Sequence, residues 1–227
     1  SIHKIAEFSG GNARVAIALA AAVGRDDDIS RLKNGELFSR LFNQRQPAEG
    51  GMQISAEALS LVYSFQLEDD QGDSEELNCL SRLSGVTYDA LLRNAKELKR
   101  RGLAQTRGIW MAVLPHPVAN GLAQLALENI SHAKIAAHID PVLTPRMFSS
   151  FTRRLGYLSS SPDARAYATT LLAPDGVLET HVSGLPVEKH SAYTQCFTMI
   201  SNLAPVVPSE TLAFLGRMAE REKAFCT

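Results

Sequence analysis

The 227-residue chain carries 23 Lys and Arg against 24 Asp and Glu, a net charge of −1. That balance excludes a globally basic nucleic-acid binder and leaves room for a local basic patch. Its 45% hydrophobic and 21% charged residues fit a globular protein of one large or two to three small domains. Cys79, Cys196 and Cys226 lie far apart with no Cys-x-x-Cys spacing, which fits a reducing cytoplasm and argues against a disulfide framework. There is no apolar run of transmembrane length and no signal-peptide pattern at SIHKIAEFSGG, so a cytoplasmic protein without a membrane partner is expected.

The helical pattern is already running at the first residue, as in a piece of a longer protein. Ile2, Ile5 and Phe8 lead into Ser9-Gly10-Gly11-Asn12-Ala13-Arg14, and an alanine-rich helix follows from Val15 to Val23. The glycine pair breaks one helix and Asn12 can cap the next. Asp26-Asp27-Asp28 forms a polar turn, and Asn34 to Asn43 gives another short amphipathic helix. Gln44 to Gly51, QRQPAEGG, reads as a linker that closes a helical segment over residues 1–46.

Beyond the linker, Ser55 to Phe65 predicts a helix with Ser55 as its N-cap and Leu59, Val62 and Tyr63 as apolar positions. An acidic loop runs from Glu68 to Glu76, then a second helix from Glu76 to Leu83, with Ser84-Gly85-Val86 as the turn into a third. That third helix, Thr87 to Gly102, repeats Leu91, Ala95 and Leu98 at i, i+4 and i+7. Thr87 suits its N-cap and Gly102 its C′ position. Leu103 to Thr106 and Ile109 to Val113 are β-prone, and Arg107-Gly108 supplies the positive φ of a hairpin turn. Trp110 is expected in the core under this hairpin. Pro115 ends the second strand and Pro117 suits the first turn of a new helix. Three helices, a hairpin and a helix in this order make a winged helix over residues 52–130.

From Ser131 the character changes to a helical arm, residues 131–227. Thr144 to Gly156 and Pro162 to Leu172 read as paired antiparallel helices, and Pro208 to Ala219 as a last helix. Leu172-Ala173-Pro174 and Leu203-Ala204-Pro205 each follow a helix, a hint of helical repetition. The fold class expected is therefore mainly α.

For chemistry, the absences come first. There is no G-x-x-x-x-G-K-[ST] loop, G-x-S-x-G elbow or H-E-x-x-H pair, and the six histidines share no metal-ligand spacing. No catalytic residue and no metal site are expected, so the chain by itself is not read as an enzyme. The third helix and its wing carry Arg93, Lys96, Lys99, Arg100, Arg101 and Arg107 against Asp89 and Glu97, a local charge of +4. Arg93, Lys96 and Arg100 fall opposite the apolar stripe, where a recognition helix would meet phosphates and base edges. Arg93, Lys96, Lys99, Arg100 and Arg107 are thus candidate DNA contacts for a winged-helix regulator with a helical dimerisation or effector domain. A solvated face, or one docked on another domain, accounts for the same charges.

The segment SGGNARVAIAL resembles the lid of AAA+ and STAND ATPases, where a glycine turn opens a helix under the nucleotide. Origin-recognition ATPases carry a G-D-A-R version whose arginine senses phosphates, and NB-ARC switches carry G-L-P-L or G-N-P-L there. Here Ala13 stands where the proline of that second version would touch adenine. In NB-ARC proteins a winged helix follows the lid, and its hairpin ends in Met-His-Asp at the opening of a helix. In this chain Leu114-Pro115-His116-Pro117 occupies the corresponding place, so His116 matches that histidine without its flanking methionine and aspartate. The resemblance covers residues 1 to about 130 and implies the regulatory part of a bacterial STAND NTPase switch, many of which act in phage defence. It implies that Arg14, His116 and Asn12 meet ATP or ADP supplied by an upstream P-loop domain of the same protein. No nucleotide is expected on this chain alone. The arm would receive a protein trigger, and the activated protein would oligomerise.

Overall fold

The computed structural model describes residues 2–11, 13, 16–17, 20, 51–67, 74–141, 144–185 and 190–225. Over these residues the protein is mainly α-helical with one three-stranded antiparallel sheet, and the chain divides into two compact units, Ser1–His138 and Ile139–Thr227.

The first unit contains α1 (Ile2–Ser9), α2 (Met52–Ser60), β1 (Phe65–Gln66), α3 (Glu75–Ser84), α4 (Tyr88–Arg100), β2 (Ala104–Arg107), β3 (Trp110–Val113), α5 (His116–Asn129) and α6 (His132–Ala136). In α4 the stripe Leu91, Ala95 and Leu98 is fully buried, as its period requires. Thr87 holds the N-cap position without a side-chain hydrogen bond. At the other end Gly102, at φ +75°, closes a Schellman turn. Its N–H donates to the Lys99 carbonyl, and that of Leu103 donates to the Leu98 carbonyl.

The hairpin turn is Gly108-Ile109, one residue later than expected, because Arg107 pairs with Trp110 in the ladder. Gly108 at φ +60° provides the conformation that a two-residue loop needs at its first position. Met111 and Val113 point inward while Trp110 is half-buried on the other side of the strand. The period of two thus puts Trp110 outside the core expected for it.

The helix expected over Ser55 to Phe65 is corrected at both ends. α2 begins at Met52, so Ser55 lies inside it, and its Oγ accepts a hydrogen bond from Asn94 Nδ2 of α4 (2.8 Å). The helix stops at Ser60, and Phe65 pairs with Met111 to add β1 to the hairpin in the order β1-β3-β2. Leu61, Val62 and Phe65 are all buried, and the extended chain gives Phe65 a place beside β3. Ser74 fastens this strand to α3. Its Oγ accepts from Leu77 N at the helix N-terminus and donates to the Gln66 carbonyl (2.7 Å), while Glu76 Oε2 accepts from Gln66 N (2.7 Å).

Helix, strand, helix, helix and hairpin in this topology form the expected winged helix. α2 lies along α5 and touches α3 and α4, burying Leu59, Leu77, Leu80, Leu91, Leu98, Val118 and Leu122. Each such side chain contributes about 1.5–3 kcal/mol of transfer free energy. α6 closes on α3 through Lys134 Nζ, which donates to the Leu83 carbonyl (2.9 Å).

The second unit contains α7 (Pro145–Gly156), α8 (Pro162–Leu172), α9 (Val177–Ser183), α10 (His190–Leu203) and α11 (Pro208–Phe225). Leu172 and Leu203 are the last residues of α8 and α10, so both Leu-Ala-Pro tripeptides end helices. The predicted last helix runs on past Ala219 to Phe225. α7 lies against α10 and α8 against α11, with Phe151 edge-on to Tyr167 between α7 and α8. The approach of α7 to α10 depends on Gly156: a Cβ there would come within 2.5 Å of the Asn202 carbonyl oxygen. Asn202 Nδ2 also donates to Thr152 Oγ1 (3.2 Å).

Candidate functional site

His116 is the first residue of α5, between Pro115 at the N-cap and Pro117. The Leu114–Pro115 peptide is cis. Proline at these positions fixes φ and leaves no N–H to satisfy, so the chain turns from β3 into the helix at a rigid corner. The imidazole is exposed and stacks on Tyr63, with ring centroids 5.1 Å apart and planes at 22°. The Tyr63 hydroxyl lies 3.3 Å from His116 Nε2.

The glycine turn after α1 meets the same corner. Gly10 and Gly11 have φ of +52° and +80°. A Cβ on Gly10 would stand 3.1 Å from Pro115 Cβ and 3.2 Å from Pro117 Cδ, tighter than most side chains tolerate, and the φ of +52° favours glycine there as well. α1 packs on α5, and the turn that leads toward Asn12 and Arg14 therefore abuts the prolines flanking His116. Asn12 and Arg14 themselves lie outside the described residues. A helix N-terminus carries partial positive charge and favours anions, so an exposed imidazole placed there beside a glycine turn is suited to a phosphate. Tyr63 is the residue that sequence reasoning missed. It is 53 positions from His116, and no local pattern links them.

On α4, Arg93, Lys96, Lys99 and Arg100 are exposed opposite the buried stripe, and Arg107 is exposed on the wing beside Ile109 at 48% exposure. Glu97 holds two cations of this helix. It accepts from Arg100 Nε and Nη2 at 2.6 and 2.7 Å and from Arg101 Nε at 2.6 Å. The Arg100 hydrogen bonds, with Arg101 behind them, pull the Glu97 carboxyl down to about 2. Arg100 thus faces solvent already engaged with a carboxylate, which lowers what it can offer a phosphate.

Neither Cys79 nor Cys196 is disposed as a nucleophile, since burial pushes both thiols up. Among the described residues no three His, Cys, Asp or Glu side chains gather as a metal site, and no helix is long and apolar enough to cross a membrane.

No family model matches the chain, and no curated protein or solved structure matches it either.

Proposed function

We propose that the chain is the regulatory part of a STAND-type nucleotide switch, in which the Gly10-Gly11 turn and His116 face the phosphates of a nucleotide held by a P-loop domain of the same protein. The observation that supports this reading is the close approach of the glycine turn to Pro115 and Pro117 around an exposed His116. Two segments a hundred residues apart, each resembling a nucleotide-sensing element, meet at one corner.

In this reading His116 donates to a phosphate oxygen, a charge-assisted hydrogen bond worth roughly 1.5–3 kcal/mol. Made in the closed ADP state alone, it shifts the closed-to-open ratio by about tenfold to 150-fold. A trigger at the helical arm, with ATP, then favours the open state and oligomerisation. The test is ADP affinity of the full-length protein, compared with His116→Ala and Arg14→Ala. Each variant should lose tenfold or more with an unchanged melting temperature. Unchanged affinity in both, or a full-length protein that takes no adenine nucleotide, overturns the reading.

The exposed cations of α4 and the wing favour a second reading, a winged-helix regulator bound to DNA. With about four phosphates neutralised, affinity should fall roughly a hundredfold between 50 and 200 mM salt. A chain that leaves duplex DNA unshifted at low salt removes it.

A further inference from the structure

Tyr63 lies in the short connection between α2 and β1, and the chain on both sides of it is anchored. Leu61 and Val62 before it and Phe65 after it are buried, and Phe65 is held again by its pairing with Met111 on β3. His116 stands on an equally fixed backbone. Pro115 and Val118 are buried on either side of it, and α5 packs along α2. The two side chains therefore meet from backbones that the core of the winged helix already places.

Their contact has two parts. The rings stack with centroids 5.1 Å apart and planes at 22°, inside the range of an offset aromatic pair. The Tyr63 hydroxyl is 3.3 Å from His116 Nε2, at the long end of hydrogen-bond distance. The stack is thus the stronger constraint on how the imidazole is turned, and the hydroxyl biases where its proton sits. A neutral imidazole carries one N–H, and a partner at one ring nitrogen decides which nitrogen that is.

We propose that Tyr63 is a positioning residue for His116, holding the imidazole in one orientation and one favoured tautomer before a phosphate arrives. The role rests on the nucleotide reading for its ligand and adds to it the residue that prepares the histidine. An exposed imidazole with no such support gives up rotamer freedom on meeting its ligand. Avoiding that loss corresponds to about two- to tenfold in affinity for one immobilised side chain.

Two measurements test this. Long-range proton–nitrogen NMR of the histidine rings on this chain reads the tautomer, with His116 assigned by its loss in His116→Ala. Tyr63→Phe keeps the stacked ring and removes the hydroxyl. It should move the two His116 ring nitrogens toward the values of a freely exchanging imidazole and leave the other five histidines in place. On the full-length protein, Tyr63→Leu should weaken ADP binding by about two- to tenfold, and by nothing further in a His116→Ala background. His116 resonances that stay put in Tyr63→Phe overturn the tautomer bias. Equal losses with and without His116 overturn the positioning role, since Tyr63 would then act on the fold alone. If His116→Ala weakens ADP binding and Tyr63→Leu does not, this inference falls and the nucleotide reading stands. If His116→Ala changes nothing, the nucleotide reading falls and the role of Tyr63 with it.

Discussion

The two compact units place their arginines differently. In the winged-helix unit the core is a run of leucines, Leu59, Leu77, Leu80, Leu91 and Leu98, and the cations Arg93, Lys96, Lys99, Arg100 and Arg107 are all outside. In the second unit the guanidinium of Arg154 and the carboxylate of Glu179 are inside, at 1% and 2% exposure, while Phe197 and Leu212 face out at 57% and 71%. A cation held outward costs little and can meet a polyanion or solvent. A charge held inward needs a partner for its desolvation, and an apolar side chain held outward gains from being covered.

The sharpest way to break this comparison is at Glu179. Its two oxygens take Arg217 Nε at 2.9 Å and Arg221 Nη2 at 2.8 Å, and Arg221 Nη1 also donates to Ser183 Oγ. This joins α9 to α11, and Arg217 reaches on to the end of α8. Glu179→Ala should cost about 3 kcal/mol, the low end for breaking a buried pair, because both arginines can still reach water. Hydrogen exchange should accelerate in α9 and α11. An unchanged exchange pattern would mean that burial of this carboxylate contributes nothing to the second unit. Next in size is Gly156→Ala, where the new methyl meets the Asn202 carbonyl. Separating α7 from α10 should cost about 2 kcal/mol, seen as an earlier urea midpoint.

The elements that could be read in the sequence are those specified by neighbours in the chain. The period of Leu91, Ala95 and Leu98, the stop at Gly102 and the turn at Gly108 all act within a few residues, and each is where the pattern put it to within one or two positions. β1 could not be read, since it is two residues long and sits at the end of an apolar run that continues a helical period. What makes it a strand is Met111, far along the chain. Ser55 misled for the same reason: a serine before an apolar run resembles a cap, but its partner is Asn94 on α4. At the candidate site, Pro-His-Pro marked His116, while Tyr63 and the Gly10 contact arise from tertiary packing that no local signal encodes. Glu179 was likewise silent, because its partners are 38 or more residues away.

A smaller effect probes how the wing's third strand is held. Ser74 is fully buried and serves α3 and β1 at once. Ser74→Ala removes the cap and leaves the Gln66 carbonyl without that donor. It should destabilise the winged helix by about 1–2 kcal/mol. Ser161→Ala at the start of α8, where Oγ accepts from Ala164 N, should cost about 1 kcal/mol. The difference between the two measures the strand's share. Equal losses would mean that the bond to Gln66 adds nothing to the cap.

The smallest effects separate two carboxylates of the winged-helix unit by the sign of their pH dependence. Glu97, held down to about 2 by Arg100 and then Arg101, is ionised more readily in the fold than in the unfolded chain. Its contribution is complete above the ordinary glutamate value of 4.5 and is lost as pH falls from there toward 2. Glu57 is the reverse. Burial raises its carboxyl despite hydrogen bonds from Gln53 and Asn129, so its contribution is complete below the ordinary value and is lost as pH rises through the raised one. Glu97→Gln should therefore lower the melting temperature at neutral pH, by less than about 1 kcal/mol for so accessible a pair, with the difference shrinking as pH falls from 4.5 through about 2. Glu57→Gln should raise it at neutral pH and leave it unchanged in acid. Melting curves of both variants from acid to neutral pH decide the matter. Parallel rather than opposed slopes would mean that the arginines do not hold Glu97 down or that burial does not hold Glu57 up.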